Sequence, residues 1–189
     1  DRLVTAGKES LRFTESFEER YAPGHKDHEY LLMSRLIRAD WWFAKSDYAK
    51  AAEAFAGIDS KRVPEKVRAG VLYKKGFAEA ESGKWNEAIA SLTEFINDYP
   101  REANIPVALA QRGICQKNVR ALDRALADFA IIIKDHPDSS AAEMAWYQSG
   151  LIKAETRDTP GMIADFEALV AKFPKSAAAG DANFQIGRG

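Results

Sequence analysis

The 189-residue chain holds one cysteine, Cys115, and three histidines, at positions 25, 28 and 136. A single thiol excludes any intrachain disulfide and leaves the redox compartment open. Cys115 falls within a predicted helix at a packed position, where it reads as a buried structural thiol rather than a reactive one. No run of 18 apolar residues occurs, so no membrane-spanning helix is encoded, and the N-terminus lacks the basic-then-apolar order of a signal peptide. The sequence opens on Asp1 rather than methionine, which reads as a processed or trimmed piece; any export signal or lipid anchor would belong to residues upstream of it. The formal charge is -1, which gives no bulk electrostatic case for nucleic acid. Lys61, Arg62, Lys66, Arg68, Lys74 and Lys75 are interspersed with acids such as Glu65, the pattern of a solvated helix face.

Catalytic patterns are also missing. There is no G-x-S-x-G, no H-E-x-x-H and no glycine-rich phosphate loop. His25, Asp27, His28 and Glu29 form the only cluster of metal-ligand residue types, but their spacing matches no closed zinc motif. A helix start capped by Asp27 accounts for them better. His136, beside Pro137 in a turn, reads as solvated, and carboxylates such as Glu79 and Glu81 are ordinary for a helix surface. No catalytic, cofactor-binding or metal-binding residue is assigned, no cofactor is expected, and an enzyme is not expected.

What the sequence does hold is a repeat. The run W-N-E-A-I-A-S-L-T-E-F-I-N-D-Y-P from Trp85 is answered 37 residues later by L-D-R-A-L-A-D-F-A-I-I-I-K-D-H-P, so Ala88, Leu92 and Pro100 correspond to Ala125, Phe129 and Pro137. Met162, Phe166 and Pro174 continue the series, and Tyr48, Ala51 and Phe55 precede it. Units of this length cannot bury their apolar faces alone and must stack on neighbours. The pattern divides the chain into 1–24, an N-terminal helix or degenerate repeat, then 28–63, 64–100, 101–137, 138–174, and 175–189, the first helix of a truncated fifth unit. A first helix without its partner leaves an apolar face to dock elsewhere or to meet chain that follows residue 189.

Each unit reads as two helices. Ser46-Asp47 supplies a turn and cap, Pro64 suits a first helical residue, and Gly83 breaks the chain before Trp85. Pro106 lies in a first turn, Ser140 and Glu143 form a capping box, and Thr159-Pro160 reads as a cap followed by proline. Gly76, Gly113, Gly150 and Gly187 recur every 37 residues. A mid-helix glycine costs about 1 kcal/mol against alanine, so one phase repeated four times needs a packing reason. We expect close backbone approach within each hairpin, helped by Ala88 and Ala125, with Phe55, Leu92, Phe129 and Phe166 filling the space between units.

This phase of glycine, alanine, aromatic and proline resembles the tetratricopeptide repeat, whose usual unit is shorter. The resemblance covers roughly residues 30 to 189. It departs at Arg120 and Arg157, which stand for the turn glycine matched by Gly83, and at Met162, which puts the tightness of the fourth hairpin in question. It implies an all-α, right-handed α-solenoid of helical hairpins with a 37-residue period, acting as a protein-interaction scaffold that binds another protein or peptide. In that family the positions three before and one after the glycine line the concave groove. The resemblance therefore assigns the protein-binding face to Tyr73 and Phe77, Ala110 and Ile114, Tyr147 and Leu151, and Phe184 and Arg188, with Leu36 as an outlier. Lys117, Asn118 and Arg188 supply its polar contacts. Closure of the superhelix, the N-terminal helix or a second subunit could equally fill this apolar stripe, and a self-associating structural domain, forming a homodimer, is the alternative function. The segments D-Y-P, D-H-P-D-S and K-F-P-K-S, each before an alanine-rich helix, resemble TolA-binding periplasmic proteins and the lipoproteins of outer-membrane barrel assembly. That implies a bacterial cell-envelope adaptor, periplasmic or outer-membrane-associated, with cytoplasm as the other compartment.

Overall fold

A computed structural model describes residues 2–21 and 29–188, all helix and turn. Its helices are α1 (Arg2–Tyr21), α2 (Glu29–Ala44), α3 (Tyr48–Ala56), α4 (Glu65–Glu81), α5 (Trp85–Asp98), α6 (Ile105–Asn118), α7 (Leu122–Asp135), α8 (Ala142–Glu155), α9 (Thr159–Lys172) and α10 (Ala177–Ile186). A short 3-10 turn, Ser60–Arg62, precedes α4. His25, Asp27 and His28 of the histidine–carboxylate cluster lie outside the described residues.

The fold is an all-α solenoid of paired, pairwise-stacked helices. The chain divides into two compact units, Asp1–Phe95 and Ile96–Gly189, so the division falls inside α5. In the first unit α2 packs on α1, α3 and α4. In the second, α6 pairs with α7, α8 with α9, and α10 lies against α8 and α9.

The turn inside each hairpin is set by backbone geometry. Ser46, Gly83, Arg120 and Arg157 all take positive φ, between 58° and 77°. Each sits at the position after the cap where a left-handed residue closes the Schellman motif. The paired bonds are present every time: Gly83 N donates to Ala80 O and Lys84 N to Glu79 O, and the same pattern recurs at Arg120 with Ala121, at Arg157 with Asp158, and at Ser46 with Asp47. The second helices begin next. Asp47 caps α3 by accepting from Lys50 N at 3.2 Å, and Asp158 caps α9 by accepting from Gly161 N at 3.0 Å. Thr159 is therefore the first helical residue rather than the cap. The Ser140–Glu143 capping box is not formed either. Ala141 occupies the cap position with no side-chain bond, because residues 136–142 close a turn in which Ser139 N donates to His136 O and Ala142 N to Ser139 O. Pro64 is the cap residue of α4, one position earlier than expected.

The glycines face inward, with a correction to what they face. A methyl added to Gly76 would lie 2.7 Å from Leu92 Cγ, one on Gly113 2.7 Å from Phe129 Cε1, and one on Gly150 2.5 Å from Phe166 Cε1. Each glycine makes room for the bulky residue of its own partner helix. Leu92, Phe129 and Phe166 thus fill the inside of the hairpins rather than only the space between units. The hairpin carrying Met162 is as close as the others at this point, and Met162 is buried in its core with Phe166, Leu169, Ala179 and Ala182. In α2 the same phase is taken by Ala39, fully buried in a cluster with Ala51, Phe55, Ile58 and Val71. Gly187 is the exception. It caps the end of α10, is exposed, and packs against no side chain.

Candidate functional site

A polar layer runs beside the glycine phase. Arg112 on α6 holds Asp128 on α7 in two bonds, Nε to Oδ2 at 2.8 Å and Nη2 to Oδ1 at 2.6 Å. One repeat on, Ser149 donates to Asp165 at 2.6 Å and Lys153 reaches the same carboxylate at 2.7 Å. In the first unit the carboxylate has changed helix: Glu79 of α4 is buried and bonds Ser91 of α5. Its Oε2 has no hydrogen-bond partner, nor has Gln116 Oε1 at the equivalent position. Burial pushes the Glu79 carboxyl above its usual range, Glu87 adding to the shift while Ser91, Lys75 and Lys84 oppose it. Cys115 is buried.

The face assigned to ligand binding differs between the units. In the first, Tyr73 and Phe77 are half-buried and belong to a chain of ring contacts. Tyr73 lies 5.5 Å from Phe95 and 6.0 Å from Phe77, and Phe77 lies 5.5 Å from Tyr48 and 5.8 Å from Phe43. Such edge and tilted geometries are the favoured ones for aromatic pairs. Burial raises the Tyr73 hydroxyl pKa, with a smaller contribution from Tyr48. These rings join hairpins together while keeping one side accessible.

In the second unit the first helices α6, α8 and α10 stand side by side. Lys117 Nζ donates to Gln148 Oε1 at 2.9 Å, tying α6 to α8. The Tyr147 hydroxyl donates to Asp181, tying α8 to α10; burial first, then the Asp181 charge and this bond, raise its pKa. Ile114, Tyr147 and Leu151 are half-buried, Tyr147 and Leu151 against the core around Phe166. Asn118 is exposed and donates to the Ile114 carbonyl at 3.0 Å. Phe184 is 62% exposed, with the Arg188 guanidinium 5.5 Å from its ring centre. Ala110 is fully buried, so it lines no surface, and Leu36 in the first unit is likewise core.

Two residues of this face were not anticipated, Gln148 and Asp181; Met144, elsewhere on α8, is 38% exposed. Gln148 and Asp181 are neither at the glycine-relative positions used to assign the face nor distinctive in type, so only the spatial pairing finds them. A separate apolar groove of about 450 Å³ lies between α1 and α2, lined by Phe13, Phe17, Tyr30, Met33 and Ile37. Phe13 and Tyr30 there are 69% and 68% exposed. Among the described residues, no three metal-ligating side chains converge and no helix is long and apolar enough to cross a membrane.

The family profile described as "Tetratricopeptide repeat" matches residues 71–101 and 144–176. No curated protein matches the sequence. Among solved structures, the chain is similar to a tetratricopeptide repeat protein from Parabacteroides merdae ATCC 43184, with 18% identity over 82% of this chain, 58% of that one, and a TM-score of 0.66. It is similar to YrrB, described as a TPR protein with an unusual peptide-binding site, at 17% identity, 97% and 86% coverage and a TM-score of 0.75. It is also similar to BtubC (BKLC) from P. vanneervenii, at 12% identity, 99% and 81% coverage and a TM-score of 0.63. The chain thus spans little more than half the length of the Parabacteroides protein. At these identities the structures speak to fold alone: they agree with the recurrent hairpins on a solenoid of paired helices of the tetratricopeptide type, and the family profile matches two segments of the chain.

Proposed function

We propose that the chain is a protein-interaction scaffold that binds a peptide or a helix of another protein along the first helices of its second unit. The observation that carries this reading is Phe184 on α10, a large apolar ring left mostly in water with the Arg188 guanidinium over it, while Tyr147 and Leu151 on α8 are only half-buried. Helices held side by side by Lys117–Gln148 and Tyr147–Asp181 form a rigid surface on which an apolar segment loses water at little ordering cost to the scaffold. Lys117, Gln148, Asp181 and Arg188 offer hydrogen bonds and charges of both signs around it. In the first unit Tyr73 and Phe77 supply a second apolar face of the same kind. Similarity to YrrB, described as having a peptide-binding site, supports the class of partner.

The setting we propose is the bacterial cell envelope, with the chain as a periplasmic or outer-membrane-associated adaptor. Its support is the likeness of the D-Y-P, D-H-P-D-S and K-F-P-K-S segments to proteins of that kind. The test is selection from a displayed peptide library, followed by binding to Phe184→Asp and Ile114→Asp variants, with the mass of the free chain measured by light scattering. Selected peptides should bind the wild-type monomer and lose at least about tenfold in affinity, about 1.4 kcal/mol, with either variant. Binding to both variants as tight as to the wild type, or a stable dimer that Phe184→Asp dissociates, would overturn the reading in favour of self-association.

A further inference from the structure

On another side of α8, between α7 and α9, a cavity of about 290 Å³ is lined by Leu126, Ile133 and Trp146 and by the polar side chains of Ser149, Lys153 and Asp165. Its size, just below that of small-molecule clefts, suits one long side chain. The repeat itself shows what chemistry it suits. Ser149 stands 37 residues after Arg112, and Asp165 stands 37 after Asp128. In the hairpin of α6 and α7 the guanidinium of Arg112 grips both oxygens of Asp128. In the hairpin of α8 and α9, serine replaces that arginine, and the bonds from Ser149 and Lys153 both go to Oδ2 of Asp165. Neither of these side chains bonds Oδ1. The carboxylate is nearly fully buried, the arginine stem that would cover it is absent, and an indole stands beside it.

We propose that this cavity takes the arginine side chain of a partner polypeptide, its guanidinium set on Asp165 as that of Arg112 is set on Asp128. A planar fork matches the carboxylate in two bonds, which an ammonium cannot do. Trp146 offers a ring for cation–π stacking, and Leu126 and Ile133 receive the methylene stem. Lys153, a quarter exposed on a flexible stem, gives way to the incoming cation, so the site exchanges one positive charge for another. The proposal uses none of the residues of the first-helix face and stands or falls separately from it.

The test is a titration of the ¹⁵N-labelled chain with N-acetyl-arginine amide, following the indole N–H signal of Trp146, identified by its loss in Trp146→Phe. A saturable shift is expected in the wild type, with severalfold tighter binding in Lys153→Met, which removes the resident cation. Little shift is expected in Ser149→Arg, where the variant's own side chain fills the cavity, with helix content checked by circular dichroism. N-acetyl-citrulline amide, equal in shape but uncharged, should leave the wild-type signal in place. An equal response to citrulline, unchanged or weaker binding in Lys153→Met, or no saturable shift in the wild type overturns the proposal.

Discussion

Gly150 lies so close beneath Phe166 that an added methyl would stand 2.5 Å from the ring. Alanine there should gain about 1 kcal/mol of helix propensity and lose more, about 1–3 kcal/mol, by forcing the ring aside. Gly150→Ala should therefore lower the melting temperature. Gly70→Ala on α4, where nothing lies within 4 Å, should raise it. Thermal denaturation of the two variants reads the difference in sign.

Phe129 is fully buried over Gly113. Phe129→Ala should cost about 3–5 kcal/mol, since removing the ring opens a cavity that Gly113 cannot fill. Urea denaturation read by circular dichroism would show it, with the second unit melting first if the hairpins lose cooperativity.

Asp128 is nearly fully buried and Arg112 largely so. Removing one partner leaves the other charge poorly solvated, so Asp128→Ala should destabilise by up to about 3 kcal/mol. Changing both together, Arg112→Met with Asp128→Leu, should be close to neutral. A double-mutant cycle by urea denaturation isolates the coupling.

Glu79 carries a carboxyl whose pKa is raised by burial. The folded chain therefore holds this proton more tightly than the unfolded one. Its contribution is fully present below the unfolded pKa, about 4.3, and is lost as pH rises through the folded value. Glu79→Gln should raise stability at neutral pH, and the gain should shrink to nothing near pH 4. Gln116 at the equivalent position shows that the amide suits this phase. Melting temperatures of both proteins across that pH range provide the check.

Arg157 has φ 62° and Gly83 φ 77° at equivalent turns. The left-handed conformation costs a non-glycine residue about 1–2 kcal/mol, partly offset by the greater backbone entropy that glycine loses on folding. Arg157→Gly should gain about 0.5–1 kcal/mol and Gly83→Ala should lose about 1 kcal/mol. Chemical denaturation midpoints moving in opposite directions would confirm the turn as the cause.

The helical pairing was legible because Gly76, Gly113 and Gly150 share one spacing with Leu92, Phe129 and Phe166, and a repeat amplifies a signal that one glycine would not carry. Ala39 escaped because alanine is ordinary in a helix; only its burial opposite Phe55 reveals the same role. Gly187 misled for the opposite reason, since its phase is right but α10 ends before it. The polar layer was hidden although Ser91, Asp128 and Asp165 also repeat every 37 residues. Polar residues on a helix read as solvent-facing until a partner such as Arg112 is seen across the hairpin. Capping was misread at Ser140 and Thr159 because neighbouring residues compete for one position, and backbone turns decide between them. Of the assigned binding face, the aromatic character of Tyr73, Phe77, Tyr147 and Phe184 was readable. How far each ring is covered was not, because that depends on helices distant in sequence.

The left-handed joint recurs at Ser46, Gly83, Arg120 and Arg157, kept by residues that bear its steric cost as well as by the glycine that does not. What is inherited from one joint to the next is a torsion angle, not a letter. A chain jointed this way is free to grow or shrink by whole 37-residue blocks spliced at these corners, and its ancestry can fade from the residues while the corners still turn.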